Sequence, residues 1–125
     1  MAAKVGDRAP VLERDLQREI LAFLERVPGV YVWKAGAGMF RVPGRRQMVR
    51  MGKKGVSDIV GWYRQYATCG PAAPVRVAQF LAIEVKRAGA VLTFEQSVFL
   101  DRVRDAGGIA IVAHSVQDVK QGLGL

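Results

Sequence analysis

The spacing of apolar residues changes several times along this chain, and each change marks an element. From about Val11 to Val27, residues Leu16, Ile20, Phe23, Leu24 and Val27 recur at intervals of three and four, the stripe of an amphipathic helix. Pro28-Gly29 ends it. Val30–Lys34 is β-branched and aromatic, which predicts a strand. Met39–Met51 turns through Pro43-Gly44-Arg45-Arg46 and predicts a hairpin. Gly55–Trp62 enters a second central strand, Arg64–Pro74 reads as a loop, and Val75–Lys86 as a long strand. Thr93-Phe94-Glu95-Gln96 is a capping-box pattern with Thr93 as N-cap; its helix runs to about Ala106 and stops at Gly107-Gly108. Phe99, Leu100 and Val103 form that helix's stripe, and Gln96 falls in the same sector. Ile109–Ala113 is a continuous apolar run and predicts a buried strand; Ser115 caps a last helix to about Gln121.

The strand–helix–strand passage from residue 79 to 113 implies a right-handed crossover and a parallel pair, hence an α/β domain with a mixed sheet. A chain of 125 residues makes one domain, 1–125. Met1–Pro10 has no periodicity and reads as a flexible leader.

Some polar residues interrupt the apolar pattern. Side chains alternate along a strand, so Glu84 and Lys86 share one face of the long strand while Ile83 and Val85 point to the other. Alone, this pair reads as a surface salt bridge. Glu13 projects into the sector of Leu16, Ile20 and Leu24, where it either satisfies the helix N-terminus or reaches across the core toward a site. Asp58 stands where a turn gives way to an apolar run, as an Asx-turn residue or as part of the same site. Gln96 has a complete explanation in the cap and a second possible role facing inward.

Charge changes the picture. The formal net charge is +8, which favours a polyanionic partner, nucleic acid first and an acidic membrane surface second. Arg41, Arg45, Arg46, Arg50, Lys53 and Lys54 occur with no intervening acid, a composition suited to phosphate contacts. A lone cysteine, Cys69, and a lone histidine, His114, exclude an internal disulfide, cysteine zinc sites and histidine-based triads. No apolar run approaches the roughly 20 residues of a membrane span, and no signal-peptide pattern opens the chain, so a cytoplasmic location is expected. Carboxylates, a lysine and a hard metal ion remain as tools. Glu13, Asp58 and Glu84 converging at one end of a sheet would repel in a low dielectric. A divalent cation removes the conflict, and oxygen-only ligation points to Mg²⁺ or Mn²⁺. Such an ion polarises a phosphodiester and activates water, while Lys86 beside it orients that water or stabilises the pentavalent phosphate.

Glu13-Arg14-Asp15-Leu16-Gln17, Gly55-Val56-Ser57-Asp58-Ile59, Ile83-Glu84-Val85-Lys86 and Thr93-Phe94-Glu95-Gln96 together resemble the virus-type replication-repair nuclease (VRR-NUC) domain, of the PD-(D/E)xK restriction-endonuclease-like superfamily. The resemblance implies a restriction-endonuclease-like αβββαβ core, a central mixed sheet flanked by helices with a basic hairpin insertion. It also implies a Mg²⁺- or Mn²⁺-dependent DNA endonuclease with relatives that act on branched DNA such as four-way junctions. Asp58 and Glu84 match the family's metal ligands, and the Val85 carbonyl a third. Lys86 matches the catalytic lysine, Glu13 the glutamate of the N-terminal helix and Gln96 the glutamine of the following helix. Ser57 stands where a proline often precedes the aspartate, which leaves the ligating oxygens unchanged. Without the extra domains of large cellular members, the chain is similar to compact phage and bacterial versions, homodimeric Holliday-junction resolvases in DNA repair. The alternatives are a non-catalytic basic DNA-binding module on a nuclease fold and a basic RNA-associated protein.

Overall fold

The computed structural model describes residues 12–35 and 38–125, with the side chains at 38–40, 50 and 51 outside that description. The expected leader and Val11 lie outside it too. In order the elements are α1 (Glu13–Leu24), β1 (Val30–Lys34), β2 (Gly38–Arg41), β3 (Met48–Met51), β4 (Ile59–Ala67), β5 (Val75–Val85), α2 (Phe94–Asp105), β6 (Ile109–Ala113) and α3 (Val116–Gly122). The main sheet has the order β1-β4-β5-β6, antiparallel except for the parallel β5–β6 pair, and β2–β3 forms a separate hairpin. This is the expected α/β architecture with a mixed sheet.

Strand alternation divides the sheet into two faces. One face presents Ile59, Leu81, Ile83, Val85, Ile111 and Ala113, which pack with Leu16, Ile20 and Leu24 of α1 and Val119 of α3. The other presents Val60 and Ala82, which pack against Leu100 and Val103 of α2. Fully burying each large aliphatic side chain contributes about 1.5–3 kcal/mol, so the α1 stripe alone explains why that helix docks. Its N-cap, Leu12, makes no side-chain hydrogen bond; Glu13 and Asp15 in the first turn complement the helix dipole instead. By contrast α2 starts on a complete capping box.

Register brings distant residues to one end of the sheet. Lys34 pairs with Ile59, and Ile59 pairs with Ile83. Asp58 precedes Ile59 by one residue and Glu84 follows Ile83 by one, so both lie at the same end of the sheet and on its α2 face. The chain between Lys34 and Asp58 also leaves and returns at this end, and it carries the β2–β3 hairpin.

The expected loop Arg64–Pro74 needs correction. Arg64–Ala67 continue β4, pairing with Ala78, Val77, Arg76 and Val75 of β5, and only residues 68–74 connect the strands. This part of the β4–β5 ribbon extends beyond the helices and is largely exposed on both faces, so it lacks the apolar alternation that marks a half-buried strand. Smaller differences are of one to three residues: α1 ends at Leu24, with Arg26 and Val27 closing turns onto Phe23 and Leu24.

Gly61 sets how closely β1 approaches β4. A Cβ there would run into the Tyr31 carbonyl and lie 2.7 Å from the Val32 Cα. Both obstacles are backbone and cannot rotate away. Gly61→Ala is therefore expected to destabilise the protein by about 3 kcal/mol through strain between the two strands. Urea unfolding of the two proteins checks this; equal midpoints would contradict the packing described.

Candidate active site

The Glu84 side chain is 2% exposed, at the end of β5. One of its oxygens, Oε1, accepts a hydrogen bond from Gln96 Nε2 at 2.9 Å, while Oε2 is buried without a partner. A buried polar atom with no partner is costly, and this one faces a second carboxyl. Asp58 is half-buried, and its Oδ2 accepts from the Val85 backbone N–H at 2.8 Å. The two carboxyl groups are close enough for the charge of one to act on the other. Burial first, and the Asp58 charge second, push the Glu84 carboxyl up from 4.5 to about 8; the Lys86 ammonium pulls the other way.

Gln96 connects the helix cap to the site. Its Oε1 accepts from the Thr93 N–H at 2.9 Å, and its own N–H donates to Thr93 Oγ1 at 3.2 Å, closing the capping box. With the amide oxygen held there, the amide nitrogen is directed at Glu84. Both readings of Gln96 hold at once, and they depend on each other. A glutamate in this position would keep the box and set a further negative charge against Glu84.

Lys86 lies one residue past β5, on the Glu84 face. Its backbone is held from both sides: its N–H donates to the Ala113 carbonyl at 3.0 Å, and His114 Nδ1 donates to its carbonyl at 2.9 Å. The His114 N–H in turn donates to Asp118 Oδ2 at 2.8 Å, at the start of α3. His114 is exposed, yet it braces the lysine's backbone. The signal was the parallel register, which sets Ala113 beside Val85 and so His114 beside Lys86.

The loop before Asp58 is fixed on α2. Gly55 has a φ of +88°, and a Cβ there would sit 2.6 Å from the Glu95 carbonyl. Lys54 Nζ lies 3.1 Å from Glu95 Oε1. Helix start and aspartate loop are thereby in contact, which keeps Asp58 beside Gln96's partner. Ser57 is fully buried with its hydroxyl unpartnered, so its contribution is shape rather than hydrogen bonding.

The other site candidates are less closely gathered. Glu13 is half-buried; its Oε1 accepts from the Arg87 N–H at 3.4 Å, and its charge adds only the smallest upward push on Glu84. Among the described residues no three His, Cys, Asp or Glu side chains close on one point. The structure thus joins Asp58, Glu84, Lys86 and Gln96, with Glu13 at the margin. Arg41, Arg45, Arg46, Lys53 and Lys54 are exposed along the hairpin and the loop after it. Lys54 is already paired with Glu95. Arg50 lies in β3, and its side chain is outside the described residues.

The donor set fits a hard divalent cation. Glu84 Oε2 is an unpartnered buried oxygen, Asp58 is a carboxylate beside it with its other oxygen already anchored, and neither a thiol nor an imidazole competes. The Val85 carbonyl belongs to the same strand end.

The VRR-NUC domain family matches the chain over residues 25–117. That span includes Asp58, Glu84, Val85, Lys86 and Gln96, and begins after Glu13. No curated protein and no solved structure matches the chain.

Two expectations follow from the Glu84 environment. Its folded carboxyl holds a proton more tightly than in the unfolded chain between pH 4.5 and about 8. Metal-free stability therefore falls as pH rises through that window. Thermal unfolding in EDTA from about pH 5 to about pH 8.5 should show a steeper decline for the native chain than for Glu84→Gln; parallel declines would contradict the assignment. Gln96→Glu should cost about 2 kcal/mol above about pH 9, where Glu84 is ionised, while leaving helix content unchanged. The double variant Glu84→Gln/Gln96→Glu, which reverses donor and acceptor, should recover most of that loss in denaturant unfolding. No recovery would mean that the contact does not hold the site.

Proposed function

The chain belongs to the VRR-NUC family of nucleases, and we propose that it is a divalent-metal-dependent endonuclease that hydrolyses phosphodiester bonds in branched DNA, acting as a homodimer. The observation that carries the metal-dependent reading is the buried, half-satisfied carboxylate of Glu84 beside Asp58, on a chain with net charge +8. A protein gains nothing in stability from two adjacent carboxyl groups that oppose each other's ionisation, whereas a cation turns the conflict into a binding site.

In this reading Glu84, Asp58 and the Val85 carbonyl hold Mg²⁺ or Mn²⁺. Bound there, the ion would supply the charge that polarises a phosphodiester and eases deprotonation of water. Gln96 fixes the orientation of Glu84. Lys86, with its backbone tied to β6 and His114, presents an ammonium that donates to the attacking water or to the developing charge on phosphorus. Glu13, at the margin, orients the approach through the backbone of Arg87. Arg41, Arg45, Arg46, Arg50, Lys53 and Lys54 follow the phosphate backbone, so binding weakens steeply with salt. The chain enters and leaves the hairpin at the acidic end of the sheet, which supports a role for its cations in holding the backbone being cut. Two copies would supply two active sites for paired cuts across a junction.

Labelled four-way junctions, flaps and linear duplex, incubated with pure protein in Mg²⁺ or Mn²⁺, test this. Branched substrates should be cut preferentially, EDTA should stop the reaction, and sedimentation should give the mass of two chains. Asp58→Ala and Glu84→Ala should each lower the rate by about 10²–10³-fold or more. Lys86→Ala should lower it similarly while DNA affinity stays within about twofold of native. Cleavage that continues in EDTA, or in the Asp58 and Glu84 variants, would refute the mechanism. DNA binding with no product at all would favour the non-catalytic alternative.

A further inference from the structure

The α2 face of the main sheet is only half covered. Helix α2 packs on Val60 and Ala82, while on the β1 side of that face Tyr31, Trp33 and Trp62 are left exposed by the described residues. Register puts Tyr31, Trp62 and Phe80 in one row across β1, β4 and β5. Trp33 stands beside them. The Tyr31 and Trp62 rings are stacked, with centroids 4.8 Å apart and planes 18° from parallel, and Trp33 meets Trp62 edge-on at 6.1 Å. Cross-strand aromatic pairs stabilise a sheet, yet these rings remain in contact with solvent: Tyr31 is 61% and Trp62 40% exposed. Arg64 follows on the same face of β4, and Arg76 lies opposite Tyr66.

We propose that this face is a stacking platform for unpaired bases of the nucleic acid whose backbone is addressed at Glu84 and Asp58. It rests on the reading of the chain as a DNA-binding nuclease and adds which part of the substrate is held, and where. Flat aromatic rings interleaved with arginine take bases by stacking and phosphates by charge, without sequence preference. Placement fits as well. Trp62 lies four residues after Asp58, which directly precedes β4, on the same face, about 13 Å at roughly 3.3 Å per residue. Phe80 stands in the same relation to Glu84. Val60 and Ala82, between the two, lie under α2, so a strand on the platform reaches the acidic site along the β1 edge, past the exposed Trp33 and the Ala35 backbone that meets Asp58.

Charge favours nucleic acid over a second copy of the chain. Residues 26–83 contain ten Lys and Arg and one acid, Asp58. A two-fold contact sets a patch against itself, and this one would bring Arg64 and Arg76 toward their own copies with no carboxylate on the platform to separate them. A polyanion with exposed π-faces meets both features at once.

The molecule carries its own reporter, because its two tryptophans are Trp33 and Trp62. The full chain, in EDTA so that nothing is cut, is titrated with oligothymidylate and with a blunt duplex. Tryptophan emission reads stacking, and anisotropy of labelled DNA reads binding. The single strand should quench emission to saturation, and the duplex should bind with little quenching. Tyr31→Ala/Trp62→Ala should weaken single-strand binding by about tenfold or more and duplex binding by less than about twofold. Trp62→Phe, which keeps a stacking ring, should retain most of the affinity; Tyr31→Ala alone serves if the double variant does not fold. The proposal falls if bound single strand leaves emission unchanged, if duplex quenches as strongly, or if both affinities drop together. It falls also if sedimentation shows a dimer that Tyr31→Ala dissociates while DNA binding persists, since the face then joins two copies. Native protein that binds no DNA would overturn the nuclease reading along with this one; native binding with silent tryptophans overturns only this one.

Discussion

The site depends on a carboxyl group held where it is poorly satisfied. Glu84 is buried at the end of the central strand with one oxygen on Gln96, the other on nothing, and Asp58 beside it. Burial and like charge both oppose its ionisation. The surrounding structure maintains this arrangement against its own stability. The α2 capping box fixes Gln96, the Gly55 and Lys54 contacts with Glu95 hold the Asp58 loop on that helix, and β6 with His114 anchors the Lys86 backbone. All but the capping box are contacts between segments distant in sequence, and together they place an acid, an acid and a base on one face of a sheet.

In the proposed reading, function separates spatially along that face. The acidic end combines metal-fitting oxygens with Lys86, and the basic hairpin leaves the sheet beside it. The far end carries the aromatic row and its arginines. Positive charge accumulates in the sequence between Arg26 and Ile83, where Asp58 is the one acid. Such a division suits a polyanion: cations position the backbone, oxygen donors address one phosphate, and rings address bases.

The sequence carried most of the fold. Helical spacing gave α1, the Thr93 box gave α2, and the apolar run gave β6, because in each case one face or both faces are buried and leave a periodic trace. Arg64–Ala67 escaped for the opposite reason, since a ribbon largely wet on both faces has little apolar period to read. Within the site, Glu84, Lys86, Asp58 and Gln96 were legible as polar interruptions of apolar elements. The bond from Gln96 to Glu84 was not, because it depends on how the box orients an amide. His114 and the Tyr31–Trp33–Trp62 cluster were missed because their neighbours are set by strand register, which spacing within a single strand does not reveal. Glu13 was placed on the buried side of its helix from spacing alone, and the structure finds it half-buried at the margin with its oxygen on Arg87.

The central claim is that Glu84 and Asp58 form a cation site. Its most direct test is anomalous diffraction from a crystal soaked in Mn²⁺. A peak between Glu84 Oε2 and the Asp58 carboxylate, with the Val85 carbonyl among its ligands and absent from Glu84→Ala crystals, is the predicted result. A fully occupied Mn²⁺ peak elsewhere on the molecule, with density between these carboxylates featureless, would contradict it.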